Sequence, residues 1–142
     1  SHTPLSEIIG LMSELSSNVS IVSIGSNTEG AVLHVLEALW TFKNTEGVTD
    51  VVASRHYTTP SYNGCGEDYT NMVAQVTTSL SLDDFVALTK NMEVRAGRTP
   101  EMKGTGVVPL DVDVVVWNGN VVRPSDFERR HFTIGYAALN PA

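Results

Sequence analysis

The sequence predicts an α+β sandwich, with helices packed against an antiparallel sheet. Three observations carry this: four β-rich runs, two apolar stripes at helical spacing opened by capping signals, and the order strand, helix, strand, strand, helix, strand. The chain has 142 residues, 42% of them apolar, a size that suits one domain with one core.

Residues 5–15 place Leu5, Ile8, Ile9, Met12 and Leu15 at helical spacing, so 1–18 reads as an N-terminal helical extension. Residues 19–24 alternate apolar and small polar side chains, as a strand does when one face packs on a core. They end at Gly25-Ser26-Asn27. Ser26 followed by Glu29 has the form of a capping box, and Val32, Val35, Leu36, Leu39 and Trp40 trace the stripe of a helix through about residue 43. Residues 48–58 are β-branched and half-polar, a second strand running up to Thr59-Pro60, and 61–68 form a loop. Residues 69–79 alternate again, with Tyr69, Asn71 and Val73 on one side and Met72, Ala74 and Val76 on the other. Ser81 with Asp84 makes a second capping box for a helix striped by Leu82, Phe85, Leu88, Met92 and Ala96, which Gly97 closes. Two prolines and two glycines keep 98–109 a long loop. Residues 110–117 give the strongest strand signal, and Asn118-Gly119 predicts a type I′ turn into Val121-Val122. Residues 127–139 form a last helix or packing segment. The whole is a ferredoxin-like βαββαβ sandwich, helices on one face, with an added small hairpin and the N-terminal helix.

A formal net charge of −7 with few clustered Lys or Arg repels phosphate backbones, so nucleic acid is not an expected partner. No apolar run approaches the roughly 20 residues of a bilayer span. The lone Cys65 cannot make an internal disulfide, and no basic segment precedes an apolar stretch at residue 1, so a cytoplasmic location is expected. His2, His34, His56 and His131 lack ligand spacing.

In 110–116 the even-numbered residues are all apolar and face the core, which projects Asp111 and Asp113 together from the other face, about 7 Å apart along the strand. Such a pair repels itself unless a cation such as Mg²⁺ lies between, although two solvated carboxylates would look the same in sequence. Gly25-Ser26-Asn27 is either an anion-holding turn at a helix start or a plain connection. Arg98 is either a cation on the helix dipole or a phosphate clamp. Tyr69 and Asn71, beside Thr59-Pro60, suit a flat polar heterocycle and are equally ordinary on a half-exposed strand.

Taken in order, SIGSN, YTTP, DYTN, MEVRAGR and LDVDVVVW, over residues 20–135, closely resemble 6-hydroxymethyl-7,8-dihydropterin pyrophosphokinases, which move pyrophosphate from ATP to a pterin in folate biosynthesis. The resemblance implies that Asp111 and Asp113 hold two Mg²⁺ ions on ATP, with Arg98 as a further catalytic residue. It implies that Thr59, Pro60, Tyr69, Asn71 and the stacking Phe132 line the pterin pocket. Glu93, Arg98, Lys103 and Arg130 would contact the nucleotide. ATP and pterin are then the partners of a monomer or weak homodimer. Where the family carries a loop tryptophan and basic residues, this chain has Thr105, Val108 and Pro100. Two functional readings follow: the transferase, and a homologue that binds a pterin, nucleotide or protein without phosphoryl transfer. An RNA-binding module on the same type of sheet ranks behind both.

Overall fold

The computed structural model describes residues 3–8, 17–61 and 66–139. It shows strands β1 (Asn18–Ser26), β2 (Val48–Ala53), β3 (Tyr57–Thr59), β4 (Tyr69–Thr78), β5 (Asp111–Trp117) and β6 (Asn120–Val121). The helices are α1 (Ala31–Lys43), α2 (Leu82–Arg95), the single turn α3 (Pro124–Phe127) and α4 (Arg130–Leu139), with a 3₁₀ turn at Pro100–Met102. Residues 5–8 are helical, with Leu5 and Ile8 exposed. The rest of the predicted N-terminal helix, His2 and the segment 62–65 that holds Cys65 lie outside the described residues. No described helix is long and apolar enough to cross a membrane.

The strands form one sheet in the order β2-β4-β1-β5-β6, with β3 also on β4, and every pairing is antiparallel. The α+β, ferredoxin-like architecture is therefore the one the sequence predicts. On one face Val22, Ile24, Met72, Ala74, Val76, Val112 and Val114 meet Val35, Ala38 and Phe42 of α1 and Phe85 and Met92 of α2.

The opposite face corrects the expectation of helices on one side only. Ile21, Val73, Val115 and Val116 are buried there beneath Phe132 of α4, with Phe127, Tyr136 and Leu139 around them. Apolar side chains on both faces of a strand require cover on both. Val116 reaches this second core because the β1–β5 register slips between Ile21 and Val22: Val22 pairs with Val114 but Ile21 with Val116, a bulge that ends the predicted alternation at Val114.

Three local expectations also change. The α1 N-cap is Gly30 in a left-handed conformation, with no side-chain cap, while Ser26 stays in β1. The buried face of α1 is Val35, Ala38 and Phe42, whereas Val32, Leu36 and Trp40 are exposed, Trp40 to 67%. The predicted second strand is two, broken at Ser54, whose hydroxyl takes the Val73 N–H at 3.0 Å in place of a backbone carbonyl. The other signals hold: Ser81 accepts from the Asp84 N–H at 3.2 Å, and Asn118 and Gly119 both have positive φ, 49° and 80°, as a type I′ turn requires.

Tyr57 ties α4 to the sheet. Its hydroxyl donates to the His131 carbonyl at 2.5 Å and accepts from the Gly135 N–H at 3.1 Å, two groups one helical turn apart. A Cβ on Gly135 would lie 2.5 Å from Val73 Cγ2, so glycine lets the helix sit this close. Tyr57→Phe is expected to cost about 1–3 kcal/mol of stability at neutral pH, measured by urea unfolding, because both bonds lose their centre. Burial pushes the phenol up from its ordinary value of 10 to about 12, against the Gly135 bond that lowers it. The folded state then holds a proton the unfolded chain has lost, so this stabilisation is present below pH 10 and lost as pH rises through about 12. Urea midpoints of wild type and variant should converge over that window.

Candidate active site

The register of the three central strands brings the site together. Gly25 of β1 lies opposite Asn71 of β4 and Asp111 of β5, and Ser23 lies opposite Asp113. Side chains two apart on a strand share a face, so all five point to the α4 side, beyond the end of that helix. Ser23, Gly25, Asn71 and Asp111 line a cavity of about 640 Å³, walled on one side by Thr59, Pro60, Ser61 and Tyr69. Its other wall is Ser125, Asp126 and residues 128–131. A Cβ on Gly25 would touch Asn71 Oδ1 and Tyr69 Cδ2 at 3.4 Å, so the glycine keeps this floor flat.

Asn71 is nearly fully buried and spends its amide on Thr59 Oγ1 at 2.8 Å and on the Tyr57 and Tyr69 carbonyls at 3.3 Å. This leaves Asn71 Oδ1 as an acceptor toward the cavity. Among the described residues the buried Ser61 hydroxyl has no hydrogen-bond partner, and it lines the same space.

A second cavity of about 590 Å³ lies beside the first, lined by Lys90, Glu93, Arg98, Lys103 and the loop around 104–108. Tyr69 lines both and is the partition between them. One carboxylate oxygen each from Glu93, Asp111 and Asp113 lie within 4.8 Å of one another at this junction.

Placing three carboxylates together needs compensation, and the chain supplies only part of it. Glu93, 6% exposed, accepts from the Val112 N–H at 2.9 Å and sits 3.3 Å from Arg98 Nη1. The same Nη1 reaches Asp111 Oδ1 at 3.1 Å and the Leu110 carbonyl at 3.3 Å. Arg123 Nη1 stands 3.8 Å from Asp113. Burial and then the Asp111 charge push the Asp113 carboxyl up to about 8. Burial acts on Asp111 too, but its hydrogen bond with Asp113 and the Arg98 charge outweigh it and hold the group below the usual range. Burial raises Glu93, with Asp111 adding to the rise and the Val112 bond opposing it. A proton on Asp113 thus relieves the repulsion. A divalent cation would do so better: the donors are hard oxygens, with Asp111 lining the first cavity and Glu93 the second, so the residues present fit Mg²⁺.

The structure gathers most of the sequence-predicted residues here. Asp111, Asp113 and Arg98 meet at the junction, Thr59, Pro60, Tyr69 and Asn71 line the first cavity, and Lys103 lines the second. Glu93, expected as a nucleotide contact, is the third carboxylate of the cluster. Arg130, also expected on the nucleotide, lines the first cavity instead. Phe132, expected to stack on the ligand, is 0% exposed: it stacks on Tyr136 with ring centres 5.1 Å apart, because α4 turns it inward onto the sheet.

Of the two readings of Gly25-Ser26-Asn27, the contacts of Asn27 accord with the plain connection. Asn27 donates through Nδ2 to the Gly106 carbonyl at 2.5 Å and accepts from the Val108 N–H at 2.7 Å, stapling the long loop to β1. Its own N–H donates to the Val108 carbonyl. Sequence reasoning missed this staple, which joins residues some eighty positions apart, and it missed Arg123 and Asp126, whose place beside Asp113 only the fold sets.

The model of the family described as 7,8-dihydro-6-hydroxymethylpterin-pyrophosphokinase matches residues 21–141. The chain belongs to that family. The match spans the whole sheet from Ile21 and both cavity walls. Pyrophosphokinases of this family use ATP and Mg²⁺ and act on a pterin. No curated protein matches the chain.

Proposed function

We propose that this protein transfers pyrophosphate from ATP to 6-hydroxymethyl-7,8-dihydropterin, in the cytoplasm. One observation carries the reading: the Glu93–Asp111–Asp113 cluster lies where two cavities meet across Tyr69, so two substrates can present reacting groups to the same three carboxylates. The first cavity takes the pterin. Asn71 Oδ1 accepts from a ring N–H or amino group, Tyr69 offers its ring, and Gly25 leaves the floor open for a flat molecule. The second cavity takes ATP, with Lys90, Arg98 and Lys103 facing its phosphates.

Asp111 and Asp113, with Glu93 behind them, would hold Mg²⁺, which when bound neutralises phosphate charge and orients the β-phosphoryl group. The pterin hydroxyl oxygen attacks the β-phosphorus, the bond to the α-phosphate oxygen breaks, AMP leaves, and the hydroxyl proton is released. No covalent enzyme intermediate is involved; positioning supplies the acceleration. Arg98 is held by Glu93 and Asp111, and that contact must exchange for phosphate as the nucleotide enters.

The test is an assay for AMP from MgATP and the hydroxymethyl pterin. Formation of AMP only when both substrates are present supports the proposal. The second reading, binding without transfer, is favoured by the burial of Phe132 and by Thr105 and Val108 in place of ligand-contacting residues. Calorimetric binding of both substrates with no AMP formed would establish it instead.

A further inference from the structure

A chain of polar contacts runs from the acidic junction to the far wall of the first cavity. Arg123 Nη1 is 3.8 Å from Asp113 Oδ1, Arg123 Nε pairs with Asp126 Oδ2, and Asp126 Oδ1 is 3.2 Å from His131 Nε2. Asp113 and Asp126 are largely shielded, with side chains 11% and 14% exposed, while the Arg123 that links them is 48% exposed. Asp126 and His131 both line the first cavity, opposite Tyr69 and Asn71. The His131 backbone is pinned, because its carbonyl accepts from Tyr57, so only the imidazole is free to respond to what Asp126 does.

We propose that Arg123 and Asp126 couple cation occupancy at Asp113 to the setting of the His131 ring, which makes His131 a positioning residue for the pterin. In this structure Arg123 is shared between two carboxylates. A cation at Asp113 supplies the charge Arg123 gives it now and releases the guanidinium wholly to Asp126. Asp126 then holds His131 through one oxygen and Arg123 through the other, and the imidazole takes up the orientation in which it faces the heterocycle. The pterin cavity is thereby completed by an event at the other cavity. This rests on the reading that Asp111 and Asp113 hold the cation.

The test is the imidazole NMR signal of His131 in ¹³C/¹⁵N-labelled full-length protein, identified by its loss in His131→Gln, and titrated with Mg²⁺ and a non-hydrolysable ATP analogue. The Asp113 carboxylate carbon is followed in the same samples. The expected result is that both signals shift together in wild type, whereas in Arg123→Gln the Asp113 signal still shifts and His131 moves less than a third as far. In activity, His131→Gln raises the pterin KM about tenfold with the ATP KM unchanged. A His131 signal that stays still while Asp113 responds, or that shifts equally in Arg123→Gln, overturns the coupling and leaves the cation site intact. An Asp113 signal that ignores Mg²⁺ and nucleotide overturns the cation site, and the coupling with it.

Discussion

Asp111→Asn is expected to lower pyrophosphoryl transfer about a thousandfold, a loss of ~4 kcal/mol in transition-state stabilisation, while the protein stays folded. Asp111 contributes an oxygen to the three-carboxylate cluster and is the residue that Arg98 grips, so its charge sets both the affinity for the cation and the place of the guanidinium. Asparagine keeps the shape and removes the charge.

The same change removes the charge that raises Asp113 and also the carboxylate that Arg98 holds, so in the cation-free protein its effect is read from the pH dependence of stability. Asp113 is held up to about 8 by burial and by Asp111, against an ordinary value of 3.8. A raised carboxyl favours the folded state at low pH: the folded protein keeps a proton that the unfolded chain has lost. That stability is fully present below about pH 4 and is lost as pH rises through about 8. In Asp111→Asn the second cause is gone, the Asp113 pKa falls, and the loss is smaller and complete at lower pH. Thermal unfolding in EDTA from pH 4 to 8 measures this. A fall in melting temperature between pH 4 and 8 that is smaller than in wild type, beside collapsed activity, is the expected result. Activity within tenfold of wild type would remove Asp111 from the reaction.

Asn71→Ala is expected to lower kcat/KM for the pterin about a hundredfold and to leave the KM for ATP within twofold. The large effect follows from burial. Asn71 is nearly fully buried, and its amide fixes Thr59 Oγ1 and two backbone carbonyls while its Oδ1 is left toward the first cavity. Truncation strands buried partners on one side and removes the heterocycle's acceptor on the other. Steady-state kinetics with each substrate varied separately checks it. An equal rise in both KM values would mean that the substitution disturbs the sheet and not one cavity.

Much of this arrangement is legible in the residues, and the legible parts share a cause. The run 110–117 is wholly apolar on one side, so a strand could present Asp111 and Asp113 only together, and they do share a face. Asn118-Gly119 and Ser81 act within three residues of themselves, so local chemistry decides them. The misreadings come where packing from far away decides. Of the stripe Val32, Val35, Leu36, Leu39 and Trp40, Val35 is buried and Leu39 packs on the core, but Val32, Leu36 and Trp40 are exposed and the sheet takes Ala38 and Phe42 instead, because periodicity alone cannot separate two stripes this close. The second layer was foreshadowed in the continuous Val114-Val115-Val116, a pattern proper to a strand covered on both faces. Nothing in the sequence marked Asn27 as the anchor of a loop some eighty positions on, or placed Arg123 on Asp113. Glu93 read as a helix residue near phosphate; only the fold reveals that α2 delivers it, buried, beside the β5 carboxylates.

A crystal grown with Mn²⁺ and a non-hydrolysable ATP analogue decides most directly whether these carboxylates form a cation site. The anomalous signal of manganese should give a peak within bonding distance of both Asp111 and Asp113, with triphosphate in the cavity lined by Arg98 and Lys103. A well-ordered nucleotide with no such peak, and Arg98 still spanning Glu93 and Asp111, would contradict it.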